Sequence, residues 1–382
     1  MLTALDTWVD KGIAPTRVVA SHATQGVVDR TRPLCAYPQV AKYKGTGSID
    51  AAENFECAAP GASQAGTLSP GAPRQRAEAR SFVPPKTPWG DPDLQGNYTN
   101  KYEYGTPFER PQEFDGRKIE DVTATELTEA VKRRQQDALD RAKFLGGDPE
   151  GKIGNSAEFR DIYEVRNSRA WVVVDPPDGK IPPLTSSALQ RAAARAAGRS
   201  VRGPADSYED RNLYDQCITR GVVGSMLPVI YGNSFQIVQA PGFVAIRYEM
   251  IHETRVVAMD GRPHVAPRLR TYMGDARGHW EGNTLVVETT NFTDKTAIGV
   301  NGNGTFNSEA LRLVERFTPV SPSTVEWRVT VDDSATWTKP WSFALNLTKD
   351  SSQGVFEYAC HEGNYAMKNI LSAARAEEQK GR

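Results

Sequence analysis

From residue 222 onward the chain repeats one pattern that restricts its fold more than any other feature: paired alternating runs joined by short turns. Phe235-Gln-Ile-Val-Gln, the turn Ala240-Pro-Gly242 and Phe243-Val-Ala-Ile-Arg-Tyr make the first pair. His279-Trp-Glu, the turn Gly282-Asn283 and Thr284-Leu-Val-Val-Glu-Thr make the second. Leu311-Arg-Leu-Val-Glu-Arg-Phe, a turn over Pro319–Ser323 and Val325-Glu-Trp-Arg-Val-Thr-Val make the third. Alternation places every other side chain on one face, and Gly, Pro and Asn at the joins reverse the chain. Successive hairpins of this kind predict an antiparallel meander, either a strongly curved sheet or a closed barrel. The expected fold class is mainly β (α+β) with peripheral helices.

The helices are expected upstream of the hairpins. Thr123-x-x-Glu126 has the form of a capping box, and residues 123–144 continue as a charged surface helix. The Ala-rich stretch 186–197 with spaced Arg reads as a second helix. Trp171-Val-Val-Val-Asp175 is a buried-type strand that ends at Pro176-Pro-Asp-Gly179. Residues 1–12 resemble the end of an amphipathic helix, with Leu2, Leu5 and Val9 on one face, Trp8 flanking it and Gly12 as its stop. A single helix face with nothing before it has little to pack against, so Met1 is expected to be an internal start or the gene to be cut.

Composition narrows the function classes. A net charge of -1 lacks the Lys/Arg excess that phosphate neutralisation needs, so nucleic acid is not the expected partner. No apolar run approaches the 18 or more residues of a membrane span. Residues 59–81 combine Ala, Gly, Ser and Pro without apolar periodicity and read as a flexible linker between a 1–58 unit and a β-rich 82–382 domain. Four Cys allow three pairings. An extracytoplasmic protein would pair Cys35 with Cys57 and Cys217 with Cys360; a cytosolic one would keep four buried thiols. No Cys-x-x-Cys occurs, which leaves zinc ribbons and thioredoxin-like chemistry without support.

The polar clusters of the second half are the candidate site. Read as one strand, residues 246–256 put Arg247, Glu249, Glu253 and Arg255 on one face and Ile246, Tyr248, Met250 and His252 on the other. Such a charged row is either a solvated set of cross-strand pairs or the lining of a ligand cavity. His252-Glu253 and His361-Glu362 are the candidate acid–base pairs, although positions 256 and 365 are Val and Tyr, which excludes the zinc-protease helix. Asp275, His279 and Glu281 lie in a glycine-bounded segment, and Tyr365 follows Cys360-His361-Glu362. These, with Arg247, Glu249 and Arg255, are the expected ligand-binding residues, for a small molecule. No cofactor or metal is expected; the alternative is a three-histidine metal site from His252, His279 and His361. Cys360 and His361 are adjacent and would face opposite ways on a strand, a poor geometry for thiol catalysis.

Two family resemblances bear on these residues. Trp8-Val-x-x-Gly12-x-Ala-Pro15, Arg32-Pro-Leu-Cys35-x-Tyr37-Pro38 and Asn54-Phe-x-Cys57 resemble the extreme carboxyl end of the tannase/feruloyl esterase family of α/β-hydrolases. The resemblance covers residues 1–58 and implies a small remnant of that fold, with Cys35 and Cys57 bridged. The family's Ser nucleophile, Asp and His would all lie upstream of Met1, and His22 follows the point where the catalytic His falls. No Gly-x-Ser-x-Gly elbow occurs in this chain, so unaided esterase activity is not expected.

Residues 82–382 resemble an uncharacterised family of secreted bacterial proteins. That likeness rests on Pro88-Trp89-Gly-Asp-Pro-Asp-Leu-Gln-Gly96, Val174-Asp175-Pro-Pro-Asp-Gly179, Glu249-Met-Ile-His252-Glu-Thr-Arg255, Gly274-Asp-Ala-Arg-Gly-His279-Trp-Glu-Gly282 and Tyr358-Ala-Cys-His361-Glu-Gly-Asn-Tyr365. It implies a secreted or periplasmic location and a β-rich fold. The Leu94-x-Gly96-x-Tyr98 segment is similar to the opening of lipocalin-like barrels. By association with the hydrolase tail, the ligand is expected to be a plant phenolic, an aromatic ester or a glycoside. The alternatives are a non-catalytic envelope or surface module, and an ester hydrolase by resemblance alone.

Overall fold

The computed structural model describes residues 17–24, 27–35, 39–58, 82–145, 166–201, 203, 205–229, 231–351 and 354–380. The chain divides into two compact units, Met1–Ala79 and Arg80–Arg382. The helix end expected over 1–12 and the linker expected over 59–81 lie outside the described residues.

In the first unit, β1 (Arg17–Thr24) pairs antiparallel with β2 (Val27–Cys35), and β3 (Val40–Tyr43) with β4 (Phe55–Ala58). Its described apolar core is small: Ala52 and Phe55 are buried, with the Arg32 guanidinium 4.6 Å over the Phe55 ring. The Cys35–Cys57 disulfide ties the end of β2 to β4. A unit that buries so little apolar surface relies on such a crosslink.

The second unit opens with β5 (Gly96–Thr99) and α1 (Ala124–Leu145), which starts at the expected capping box: the Thr123 N–H donates to Glu126 Oε2 at 2.8 Å. It continues through β6 (Val173–Asp175), α2 (Ser186–Val201) and the one-turn helix α3 (Gly221–Gly224). Then come β7 (Ser234–Ala240), β8 (Phe243–Tyr248), β9 (Thr254–Ala258), β10 (Asp275–Glu281) and β11 (Thr284–Thr290). The short pair β12 (Ala297–Ile298) and β13 (Thr305–Phe306) precedes β14 (Arg312–Ser321), β15 (Thr324–Asp332) and β16 (Trp341–Lys349). A last helix, α4 (Ala366–Lys380), has no counterpart in the sequence reading.

All three expected hairpins form, as β7–β8, β10–β11 and β14–β15. The strand order β15-β14-β11-β10-β9-β8-β7-β5-β16, with β16 paired back to β15, closes the sheet into a nine-stranded barrel, and β6 adds to β16 from outside the ring. Of the two forms a meander allows, the chain adopts the closed one, which leaves the ring without an edge. The meander is interrupted once: β9 and β10 run parallel, touching at Arg277 and Ala258. The chain therefore returns from one barrel end to the other over residues 259–274. Asn291 holds this strap through its Nδ2, which donates to the carbonyls of Ala266 and Leu269 at 3.1 and 3.0 Å.

The bore is filled. Phe235, Ile237, Val244, Ile246, Val257, Leu285, Val287, Leu313, Phe317, Trp327, Val329, Phe343 and Leu345 belong to one buried cluster, as the alternation of their strands requires. Burying such side chains contributes roughly 1.5–3 kcal/mol each before entropy is counted, so the barrel is the stable core of this unit. At one end Val222, Val223, Met226 and Leu227, on and after α3, join the same cluster and close the bore like a stopper.

The segment 246–256 is not one strand, which corrects the expectation for it. β8 stops at Tyr248, and residues 249–253 turn at the stoppered end with Ile251 and His252 at φ 61° and 43°. Pairing sets Ile246 opposite Arg255 and Arg247 opposite Thr254. Directly opposed residues share a face, so Arg255 points into the bore with Ile246 while Arg247 lies on the outer wall. The turn resets the alternation, and the expected single charged face does not exist.

Candidate functional site

The sequence-nominated residues fall into three places. The first is the bore, where Arg255 is buried and paired through both terminal nitrogens with Glu315; the Nη2–Oε1 distance is 3.0 Å. Trp327 Nε1 donates to the same carboxylate at 3.1 Å. Burial opposes the Arg255 charge, but Glu315 outweighs it and holds the guanidinium above its ordinary pKa. With its counter-charge already supplied and apolar side chains around it, this group is a structural ion pair, although its Nε has no acceptor.

The second place is the outer wall. His279 contacts Glu281 at 3.2 Å, and Glu281 pairs with Arg316 at 2.5 Å. Asp275 binds His264 at 2.9 Å, the Val265 N–H at 3.1 Å and Arg277 at 3.1 Å, fastening the strap to the barrel. Burial would raise the Asp275 carboxyl, but these partners overcome it and hold it below the usual range. Arg247 joins this wall from β8.

The third place, the stoppered end, gathers the rest. Glu249 and Ser234 exchange two bonds, backbone to backbone at 3.0 Å and carboxylate to N–H at 3.1 Å. Glu253 Oε2 accepts from Thr219 Oγ1 at 2.7 Å. Burial pushes the Glu253 carboxyl up, more than Thr219 and Arg255 pull it down. His252 Nδ1 lies 3.0 Å from the Tyr358 carbonyl oxygen and 3.9 Å from Glu357. The Cys217–Cys360 disulfide packs on Ile251 here and crosslinks positions separated by 143 in sequence. Its formation leaves no thiol for a Cys–His couple. His361, Glu362 and Tyr365 follow it as exposed residues. Among the described residues no group of three or more His, Cys, Asp or Glu is placed to hold a metal ion, so His252, His279 and His361 do not assemble one.

What sequence reasoning missed sits beside this cluster. Arg220, which precedes α3, is buried with its Cζ 5.3 Å from the Tyr214 ring centroid, and its Nη2 donates to Asn301 Oδ1. Tyr231 stacks near Tyr358, with centroids 6.3 Å apart, and shares hydroxyl hydrogen bonds with Tyr214 and Tyr358. Asn301 reaches Arg220 because glycine lets two backbones touch. A Cβ on Gly302 would stand 2.7 Å from the Arg220 carbonyl oxygen, and one on Gly224 would stand 2.4 Å from the Gly302 nitrogen. The Asn301-Gly-Asn-Gly304 run was the available signal, together with a lone Arg at the head of an apolar stretch.

Asn301 also lines a cavity of about 360 Å³ with Tyr104, Phe108, Val172, Leu227, Val229, Val300 and Leu345. Its size falls in the range of small-molecule sites, and its walls are apolar apart from a few polar groups. This cavity and the adjoining Arg220 form the candidate site.

The family model described as tannase and feruloyl esterase matches residues 1–58. The chain is 54% identical over 63 residues to mono(2-hydroxyethyl) terephthalate hydrolase of Piscinibacter sakaiensis, covering 16% of this chain and 10% of that protein. It is 50% identical over 62 residues to an uncharacterized esterase of Xanthomonas campestris pv. campestris, covering 15% and 11%. An uncharacterized esterase of Agrobacterium fabrum is 45% identical over 58 residues, covering 15% and 10%. The chain thus spans about a tenth of the length of the curated relatives it matches. No solved structure matches it.

Proposed function

We propose that the barrel unit is an extracytoplasmic small-molecule-binding domain that holds a flat, largely apolar ligand at its stoppered end, and that it binds without cleaving. The observation that carries this reading is the cavity of about 360 Å³ beside the polar cluster, in a molecule whose bore is filled. The two disulfides support an oxidising compartment, where such bonds persist. Among the described residues no helix is long and apolar enough to cross a membrane. The ligand class we favour is a plant phenolic or aromatic ester. The tannase and feruloyl esterase match of residues 1–58 supports it, as does a relative whose name denotes an aromatic monoester substrate.

In this reading 1–58 is a hydrolase-derived unit, 59–81 a linker and 82–382 the binding domain. Ester cleavage would need the Ser, Asp and His that the family resemblance places outside residues 1–58. A non-catalytic surface module without a ligand is the second reading, favoured by the filled bore and by the solvated charged pairs of the outer wall.

Calorimetric titration of the full chain with ethyl ferulate and 4-hydroxycinnamamide separates these readings. Saturable binding is expected, unchanged by His279→Ala on the outer wall and weakened about tenfold or more by Leu227→Trp, which fills the cavity. No binding of either compound supports the surface module. Release of ferulate by the chain alone would overturn binding without cleavage.

A further inference from the structure

Arg220 is 1% exposed, yet its one hydrogen-bond partner among the described residues is the neutral amide of Asn301. Its Nη2 has the Asn301 amide oxygen, while Nε and Nη1 have no hydrogen-bond acceptor. Glu249, the carboxylate whose field reaches it, already accepts from the Ser234 N–H. Burial draws the Arg220 pKa down to about 10, which still leaves the guanidinium charged at neutral pH. A buried cation with open donors is costly unless an acceptor completes it. The neighbouring cavity wall is Asn301, whose neutral oxygen stands on the cation where an anion would bind more strongly.

We propose that the stoppered-end cavity is a carboxylate site: a ligand sets its anionic group on Arg220 in place of the Asn301 amide oxygen and lays its apolar body against Phe108, Leu227 and Val229. This rests on the small-molecule reading above and narrows it to an aromatic monocarboxylate, the acid rather than its ester. Arg220 adjoins the cavity through Asn301 and the lining itself holds no Lys or Arg, which disfavours a phosphate or dicarboxylate that would need a further cation. Ester hydrolysis is the class of reaction that supplies such an acid, so the domain would retain the product of that chemistry.

The test compares 4-hydroxycinnamate with 4-hydroxycinnamamide on the full chain, by calorimetric titration at pH 7 and low salt. The acid is expected to bind about tenfold or more tightly than the amide, the scale of a charge-assisted hydrogen bond. Equal affinities overturn the carboxylate site and leave small-molecule binding standing; binding of neither overturns both. Arg220 variants risk misfolding, so Asn301→Asp supplies the second arm by giving Arg220 a permanent carboxylate. It should raise the melting temperature, weaken the acid about tenfold or more and abolish the preference for the acid over the amide. Undiminished binding of the acid by Asn301→Asp overturns the proposal.

Discussion

The bore and the stoppered end each bury an arginine, and the two are treated in opposite ways. Arg255 meets a carboxylate through both terminal nitrogens, with a tryptophan N–H sharing that acceptor. Arg220 meets a tyrosine face and one amide oxygen. Removing a charge from water costs several kcal/mol, and only an ion pair with good geometry offsets it inside apolar surroundings. Both guanidinium groups leave Nε without an acceptor, so the difference lies in the counter-charge, which the bore supplies from within the chain. The stoppered end holds a cation whose hydrogen bonding is unfinished, next to space of ligand size. A buried charge therefore reads as structure or as function according to whether its partner is already in the chain.

The sharpest way to break that contrast is Glu315→Ala, which strands the Arg255 charge inside the barrel. A loss of about 3–5 kcal/mol is expected from urea unfolding, and the double change Arg255→Met, Glu315→Leu should restore most of it. A single variant as stable as the parent would show the pair to be solvated and the two arginines alike.

Next in size is the crosslink of the stoppered end. Cys217→Ser with Cys360→Ser should cost about 2–5 kcal/mol, because the bridge closes a long loop in the unfolded chain. Affinity for 4-hydroxycinnamamide should fall with it while the β-sheet circular dichroism remains. Unaltered affinity would detach the binding site from the disulfide and its tyrosines.

Glu253 gives the smallest effect and the one with a pH signature. Burial raises its carboxyl pKa, so the folded protein holds this proton more tightly than the unfolded chain does. Its contribution is then fully present below the ordinary Glu value of about 4.3 and is lost as pH rises through the folded value. Glu253→Gln should accordingly gain on the order of 1 kcal/mol at pH 7 and show no gain near pH 4. A gain independent of pH, or a loss at pH 7, would mean that the Thr219 hydrogen bond outweighs burial.

Much of this was legible beforehand. The hairpins around Pro241-Gly242 and Gly282-Asn283 appear where turn chemistry and alternation placed them, and the Thr123–Glu126 box starts its helix. Both disulfides join the cysteines that an extracytoplasmic chain was expected to pair. The faces of Arg247 and Arg255 were not legible. Their relation depends on Ile251 and His252 adopting positive φ, a conformation rare for a β-branched residue and unmarked by any glycine. The Arg220–Asn301 contact joins positions 81 apart and exists only because glycines let α3 approach the 299–304 turn.

Local rules thus account for the three hairpins with their turns, the Thr123–Glu126 cap and the crosslinks, since each depends on residues near one another in sequence or on the pairing of few cysteines. Ring closure by β16, the parallel step at β10 and the separation of the charged residues into bore, wall and stoppered end arise from long-range pairing. Alternation tells which residues of one strand share a face, but not which face is inside once a turn has reset it. That choice belongs to the closed barrel, where apolar burial and one satisfied ion pair fix the inner face and leave Arg220 with its hydrogen bonding incomplete beside a cavity.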